Sequence, residues 1–480
     1  MGFRDLREFI RELEKRGELK RVKTEVSPQL EISEIYERVV KRAGPGLLFE
    51  RVSGSDFPVV INLFGTPQRM AWALGAESLE QVAQRFEELV NLSPPESWWD
   101  KARLVPRVFE LAKIPPRLVR SAPCQEVVMK EPDLSKFPIL KCWPGDGGRY
   151  LTLPIVITKS PKTGIRNLGM YRLQVFDEKT TGMHWHPHKG GAQHYREAEE
   201  LGVRLEVAVA LGGSPALIYS ASAPVPEGID EYLFAGFLNQ EPIEIVKAKT
   251  VDLEVPAEAE IILEGYVEPG ERRMEGPFGD HTGFYSLPEP YPVFHLTCIT
   301  HRRDALYPAT VVGRPPMEDC FMAKASERIF LVFLKKLFPE IVDLNLPVEG
   351  IFHNFAFVSI DKRYPGHAYR IMYGLWSLGQ MMFTKWIIVF DKEVNVQDLS
   401  EVLWRLGNNV EPKRDIIFVP GPVDVLDHSA SQPCLGSKIG IDATRKWKEE
   451  GFERTWPEEI KMSQEIKELV SKKWKDYGID

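Results

Sequence analysis

The sequence predicts a multidomain α+β protein, and three observations carry that reading. The chain has 480 residues, room for two to four domains at ~100–200 residues each. Its middle is a series of short β-prone runs cut by glycine and proline, whereas the stretches before and after mix helical and strand patterns. Apolar residues make up 43% and charged residues 27%, a composition that excludes intrinsic disorder and supplies a core.

The elements follow in order. Phe3, Leu6, Phe9, Ile10 and Leu13 recur at helical spacing, and Gly17 stands where that helix should stop. A mixed α/β stretch follows, with Pro58-Val-Val-Ile-Asn62 as a strand. Prolines crowd residues 93–145, from Pro94 to Pro144, and predict an extended connector and a boundary. Leu153–Thr158, Gly169–Phe176, Leu205–Leu211, Ile261–Val267 and Val293–Thr300 then read as strands, with one helix near Gln193–Leu201. Many strands with few helices indicate a barrel or a sandwich. From about residue 320, helical patterns (Glu327–Leu337, Ala368–Gln380, Asp398–Gly407) alternate with strands (Asn354–Ile360, Trp386–Phe390, Asp415–Val419), the α/β signature. A terminal helix opens at Pro457 and carries Ile466, Leu469, Val470 and Trp474 on one face. Such a helix docks on its own domain or on another subunit. The division is 1–115 (N-terminal α/β region), 116–320 (strand-rich middle), 321–450 (C-terminal α/β domain) and 451–480 (amphipathic helix).

Composition also narrows function. Net charge is −8, from 61 basic and 69 acidic residues, without the basic surplus of a nucleic-acid binder. Apolar stretches such as Trp386–Phe390 fall far short of the ~18 residues of a membrane span. The opening Met-Gly-Phe-Arg-Asp-Leu-Arg-Glu is too charged for a signal peptide. Five scattered cysteines without a C-x-x-C suit a reducing cytoplasm. No Walker A loop or dinucleotide fingerprint stands in a strand–helix context.

Three constellations could carry chemistry. His184, His186 and His188 alternate, so on a strand they would share a face and could converge on a metal; Pro187 argues instead for a kinked polar edge. Glu275-Gly-Pro-Phe-Gly-Asp280-His281 places two carboxylates on a tight loop, which would titrate apart if buried and would be ordinary turn acids if solvated. Arg172, within Asn167-Leu-Gly-Met-Tyr-Arg172, is the cation that could pair with them. A buried guanidinium demands an anion, whereas a surface strand arginine does not.

These residues, with Tyr364-Pro-Gly-His367-Ala, Gly436-Ser-Lys-Ile-Gly-Ile-Asp442-Ala-Thr and the opening FRDLREFIRELEKRGEL, resemble the UbiD-type decarboxylases along nearly the whole chain. The resemblance implies a central split β-barrel that binds prenylated FMN, and a reversible decarboxylase of an aromatic or α,β-unsaturated acid. It implies Arg172, Glu275 and Asp280 as catalytic residues, with Asp280 a protonated general acid beside an ionised Glu275; should Asp280 not be the acid, the neighbouring His281 is the next candidate. Met170, Tyr171, Arg172, His184, Trp185, His186, Lys189, Gly190 and Lys385 are the implied cofactor contacts. Asn167, His188 and Glu231 are the implied ligands of manganese or magnesium, with potassium a further ion. Asp280 stands where ferulate-type members carry glutamate and polyprenyl-hydroxybenzoate members carry aspartate. That favours a polyprenyl-hydroxybenzoate or naphthoate of ubiquinone or menaquinone biosynthesis over a smaller phenolic or heteroaromatic acid. A flavin prenyltransferase as cofactor supplier, a homodimer or homohexamer and a cytoplasmic location follow, with peripheral membrane contact left open. Two other classes remain at this point: a zinc hydrolase built on the three histidines, and a non-catalytic subunit of a carboxylase complex.

Overall fold

The computed structural model describes residues 2–91, 114–225 and 228–479. The opening helix, Leu6–Lys15, starts where the Asp5 side chain accepts the Glu8 backbone N–H, and the chain leaves it through Gly17 in the left-handed region (φ +74°). Its apolar face (Leu6, Phe9, Ile10, Leu13) has no separate N-terminal core. It packs with Ile155, Ile157, Ala208 and Ala210 of the central sheet and with Met322, Ala325 and Ile329 of the helix Glu318–Leu337. A small sheet repeats this sharing. Leu19–Val22, Gly46–Phe49 and Val59–Ile61 are completed by Tyr307–Pro308, which arrives from beyond the central sheet.

The central sheet has seven strands, six in the order Thr180–Gly182, Glu289–His301, Ala259–Glu275, Leu205–Gly212, Pro154–Lys159 and Arg166–Met170, while Val127–Met129 pairs with Glu289–His301. All these pairings are antiparallel. The run Pro154–Lys159 is apolar without alternation because both faces are covered. Ile155 and Ile157 enter the core shared with the first helix, and Val156 enters a second core with Ile32, Tyr36, Trp185 and Tyr195. The split barrel implied by the resemblance is met as an open sheet: no pairing joins Thr180–Gly182 to Arg166–Met170 among the described residues. Two expected short strands are much longer, Ala259–Glu275 with 17 residues and Glu289–His301 with 13.

The C-terminal sheet runs Ile341–Asn345, Phe355–Ile360, Trp386–Asp391, Leu435–Asp442, Ile416–Pro422. Its three inner strands are parallel and the two edges antiparallel. The helix His367–Trp376 covers one face through Ile371, Met372 and Leu375, and Leu399–Asn409 covers the other through Val402.

Three expectations are corrected. Arg172 does not lie on a strand: Arg166–Met170 ends before it and Leu173–Gln174 begins after it, so a break aims the guanidinium. The three histidines lie on irregular chain between Thr180–Gly182 and the helix Gly190–Leu201, because Pro187 withholds a ladder donor. The terminal helix is Gln464–Lys473, capped by Ser463 rather than opened at Pro457. Its residues Ile466 and Leu469, with Trp474 just beyond, are exposed rather than packed against the described residues. Of the proline-rich stretch expected over 93–145, the part up to residue 113 lies outside the described residues. Its later part is extended, with Arg117–Val119 paired to Glu244–Lys247.

Because Phe9 is fully buried and stacks on Phe64 at 6.1 Å, truncation should be felt beyond the first helix. Phe9→Ala is expected to cost ~3–5 kcal/mol and to lower the thermal midpoint of the N-terminal and central regions together. Separate melting of the two would contradict a shared core.

Candidate active site

Two segments meet at the end of the long strand Ala259–Glu275. Glu275, fully buried, grips Arg172 with both oxygens: Nε donates to Oε1 at 3.0 Å and Nη2 to Oε2 at 3.0 Å. The other side of the guanidinium pairs with Asp280 through Nη1, and Nη2 also donates to Ser286 Oγ at 3.2 Å. The Phe278 ring lies 4.7 Å from the guanidinium carbon. His184 Nδ1 is 3.0 Å from Glu275 Oε2, with its ring 4.1 Å from Tyr291. Three other side chains hold the carboxylate loop in place. Gln174 Oε1 accepts the Gly276 N–H at 2.7 Å, Asp146 Oδ1 accepts the Gly279 N–H at 2.8 Å, and Ser286 Oγ accepts the Phe278 N–H at 3.2 Å. Gly279 is obligatory, since a Cβ there would sit 2.2 Å from Trp143.

Electrostatics decide the charge states. Burial opposes ionisation of Glu275, but the hydrogen bond from His184 and the adjoining Arg172 outweigh it and bring the carboxyl down to about 2. Burial likewise opposes ionisation of Asp280, and Arg172 with His281 holds it well below the usual carboxylate range. The expectation of a protonated Asp280 is therefore corrected for this state: both acids are ionised. The proton sits one bond away on His281, whose Nδ1 lies 2.8 Å from Asp280 Oδ1. Burial would lower the His281 imidazole, but its hydrogen bond and ion pair with Asp280 raise it to about 9. Burial leaves His184 below its ordinary value and neutral. The formal charges of Arg172, His281, Glu275 and Asp280 thus cancel.

Beside this cluster runs the segment from His184 to the helix Gly190–Leu201, crowded with buried polar atoms that have no hydrogen-bond partner among the described residues: Trp185 Nε1, both His186 ring nitrogens and, across from Gly190, Asn167 Nδ2. Lys189 is the N-cap residue but offers no side-chain cap; the Gly191 N–H donates to the Tyr171 hydroxyl, and the Gly190 and Ala192 N–H groups are left to meet an anion. Burial lowers its ammonium, with Asp424 as a nearby counter-charge. No side chain fits at Gly190 or Gly191, where a Cβ would lie 2.1 Å from Asn167 Oδ1 and 2.6 Å from Trp185 Nε1. Unpartnered donors, a cation and an open helix start suit a phosphate-bearing group.

The comparisons fall on the same segments. Family models of the 3-octaprenyl-4-hydroxybenzoate carboxy-lyase match its N-terminal domain at residues 10–89, its Rift-related domain at 117–315 and its C-terminal domain at 320–443. The chain belongs to the UbiD family. It is a carboxy-lyase of that class. It is 54% identical over 478 residues to an uncharacterized protein of Archaeoglobus fulgidus, covering 99% of each. Among solved structures it resembles an evolved dimeric form of the UbiD-class enzyme HmfF from Pelotomaculum thermopropionicum in complex with prFMN. That likeness has 31% identity, covers 95% of this chain and 97% of that one, and has a TM-score of 0.79. It also resembles the vanillic acid decarboxylase of Sedimentibacter hydroxybenzoicus in its closed form, with 29% identity, 100% of each chain covered and a TM-score of 0.87.

Within this UbiD-class chain the remaining expected residues are placed as follows. Met170 donates its N–H to Ala221 O at 2.9 Å, and the Tyr171 ring is buried with its hydroxyl accepting the Gly191 N–H at 3.4 Å. Lys385 is ion-paired with Asp427 at 2.9 Å and bonded to Ser429. Glu231 accepts the Leu168 N–H at 3.0 Å, which sets it beside Asn167, and burial pushes its carboxyl up to about 7. His188 is exposed, with its ring 5.3 Å from Phe383. Of the three histidines of the zinc reading only His184 turns away, to Glu275; the His186 and His188 rings stay neighbours, 5.6 Å apart and both beside Phe383. Among the described residues no three His, Cys, Asp or Glu side chains are spaced for a metal.

Sequence reasoning missed Gln174, Asp146 and Ser286. Asp146, in Pro144-Gly-Asp-Gly-Gly, carried a turn signal that could have found it; the others carried none.

The UbiD-class site also sets an acid limit on stability. Glu275 is lowered from 4.5 to about 2, so its contribution is complete above pH 4.5 and is lost as pH falls through about 2. Thermal midpoints measured from pH 5 to pH 2 should fall more steeply for the wild type than for Glu275→Gln.

Proposed function

We propose that the chain is a reversible, non-oxidative decarboxylase of an aromatic acid that uses prenylated FMN. The observation that carries this reading is the buried Arg172 held between Glu275 and Asp280, beside a loop of unpartnered polar atoms and an open helix N-terminus. When bound, prenylated FMN supplies the electron sink for loss of CO2. Met170, Tyr171, His184, Trp185, His186, Lys189 and Gly190 would hold it, with Lys385 approaching from the C-terminal domain. Asn167, His188 and Glu231 would hold manganese or magnesium near its phosphate, with potassium as a further ion. Two oxygen donors and one imidazole suit those metals better than zinc.

Arg172 orients the substrate carboxylate. The cancelling charges around it mean that an incoming anion meets no net repulsion. Glu275 fixes the guanidinium and keeps it charged. Asp280 returns a proton to the carbon that has lost CO2, after taking it from His281 Nδ1.

For the substrate, the reading is a polyprenyl-hydroxybenzoate or naphthoate of quinone biosynthesis, of which the family description, a 3-octaprenyl-4-hydroxybenzoate carboxy-lyase, supports the first. The likeness to a vanillic acid decarboxylase favours, as second reading, a smaller phenolic acid. The unpaired cysteines suit a cytoplasmic protein, and the exposed terminal helix suits a homodimer or homohexamer.

Co-expression with a flavin prenyltransferase, followed by visible spectra and CO2 release from a panel of aromatic acids, tests the whole reading. A chain that stays colourless and inert would overturn it. Asp280→Asn should lower turnover by ~10²–10⁴-fold and leave flavin content unchanged. Glu231→Ala should lose metal and flavin together, because the cation offsets repulsion between carboxylate and phosphate. Full flavin occupancy in a metal-free Glu231→Ala protein would sink the metal assignment.

A further inference from the structure

The carboxylate loop does not end its contacts inside the central region. His281, one residue beyond Asp280, turns its Nε2 toward the C-terminal domain and meets His353 Nε2 at 3.1 Å. His353 is held in place by unusual backbone. Ile351 and Phe352, immediately before it, have φ +50° and +49°, a conformation that bulky residues adopt only when their surroundings impose it. The Phe352 ring lies 5.5 Å from the His281 ring. Nδ1 of His353 is buried and has no partner. The chain therefore holds two consecutive residues in strained backbone just before a ring whose one hydrogen bond goes to His281.

We propose that His353 is a positioning residue for proton return: by accepting the His281 Nε2–H, it holds His281 with Nδ1 on Asp280, so that the two form the proton store of the site. This rests on the reading of Asp280 as the acid. The proton count is consistent at each stage. In the charged state His281 carries hydrogen on both nitrogens, and His353 is neutral with its hydrogen on Nδ1. When Nδ1–H of His281 passes to Asp280 Oδ1 and on to the substrate carbon, His281 is left neutral with hydrogen on Nε2. The bond to His353 survives unchanged, and a solvent proton later restores Nδ1–H. No ring has to flip during the cycle.

The surroundings favour this division of charge. His281 faces Asp280 on its own loop, Asp319 at the start of the helix Glu318–Leu337, and Asp424 from the C-terminal domain. His353 faces His281, Asp424, Asp427 and Lys385. Burial and the neighbouring His281 charge bring His353 down to about 4, so it stays an acceptor while His281 stays a donor.

The test uses the full-length protein with His353→Ala, His353→Gln and Asp280→Asn. In flavin-free protein carrying 15N-labelled histidine, NMR titration should show the His281 ring losing its proton at lower pH in His353→Ala, because the acceptor that favours the charged form is gone. His353→Gln, whose amide oxygen can accept, should restore the wild-type titration. In loaded enzyme His353→Ala should lower kcat by about tenfold or more with KM within threefold, and move the alkaline limb of the kcat profile to lower pH. An unmoved His281 titration in a folded His353→Ala protein overturns the inference, whatever turnover shows. Wild-type turnover in Asp280→Asn overturns the assignment of the acid instead, and the NMR titration still decides the role of His353.

Discussion

The buried Arg172 guanidinium is the constraint on which the site is built. A cation without water must be paired on every side, because breaking such a pair leaves an uncompensated charge worth ~3–5 kcal/mol. Two carboxylates meet that demand from opposite sides, and each brings a different piece of chain. Glu275 brings the end of a 17-residue strand, and Asp280 brings the loop beyond it. Over-neutralisation by two acids then calls for a second cation, and His281 provides it. Charge balance thus extends from one arginine to an imidazole at the edge of the C-terminal domain.

The platform under this cluster is a sheet covered on both faces. That burial explains why the N-terminal helix, the central strands and the helix Glu318–Leu337 share one core although they are far apart in sequence. It also explains the buried ionic staples beneath the first helix, where Arg302 bonds Glu258 and Arg7 bonds Glu260 with two nitrogens. Those charges lie away from the substrate machinery and fix the outer layer to the sheet. The polar atoms beside Gly190 differ from them, since they are buried yet unpartnered, a costly arrangement that suits a site waiting for a ligand.

Part of this was legible in the residues. Leu6, Phe9, Ile10 and Leu13 announce their helix by spacing, because a helix face must be apolar wherever it is buried. The α/β alternation of the last third shows in the same way. Arg172, Glu275 and Asp280 could be grouped because an interior guanidinium needs acids and the glycines and proline between the two acids bend the chain tightly. The alternating histidines show the limit of spacing: they lie on irregular chain, as Pro187 suggested, and His184 turns to Glu275 while His186 and His188 stay side by side against Phe383.

What the sequence by itself determined is therefore what depends on local periodicity: the helices, most strands and the order of α/β and strand-rich regions; the pairing demands of charge made the arginine–carboxylate cluster one reading among others, and the family resemblance named its members. Tertiary structure alone decided the rest. It set both acids ionised with the proton on His281, because that balance depends on Arg172, more than 100 residues before either acid in chain order, as well as on the adjoining His281. It placed His353 against His281 across 72 residues. Long-range electrostatics in a dry interior acts through space, and sequence spacing carries no record of it.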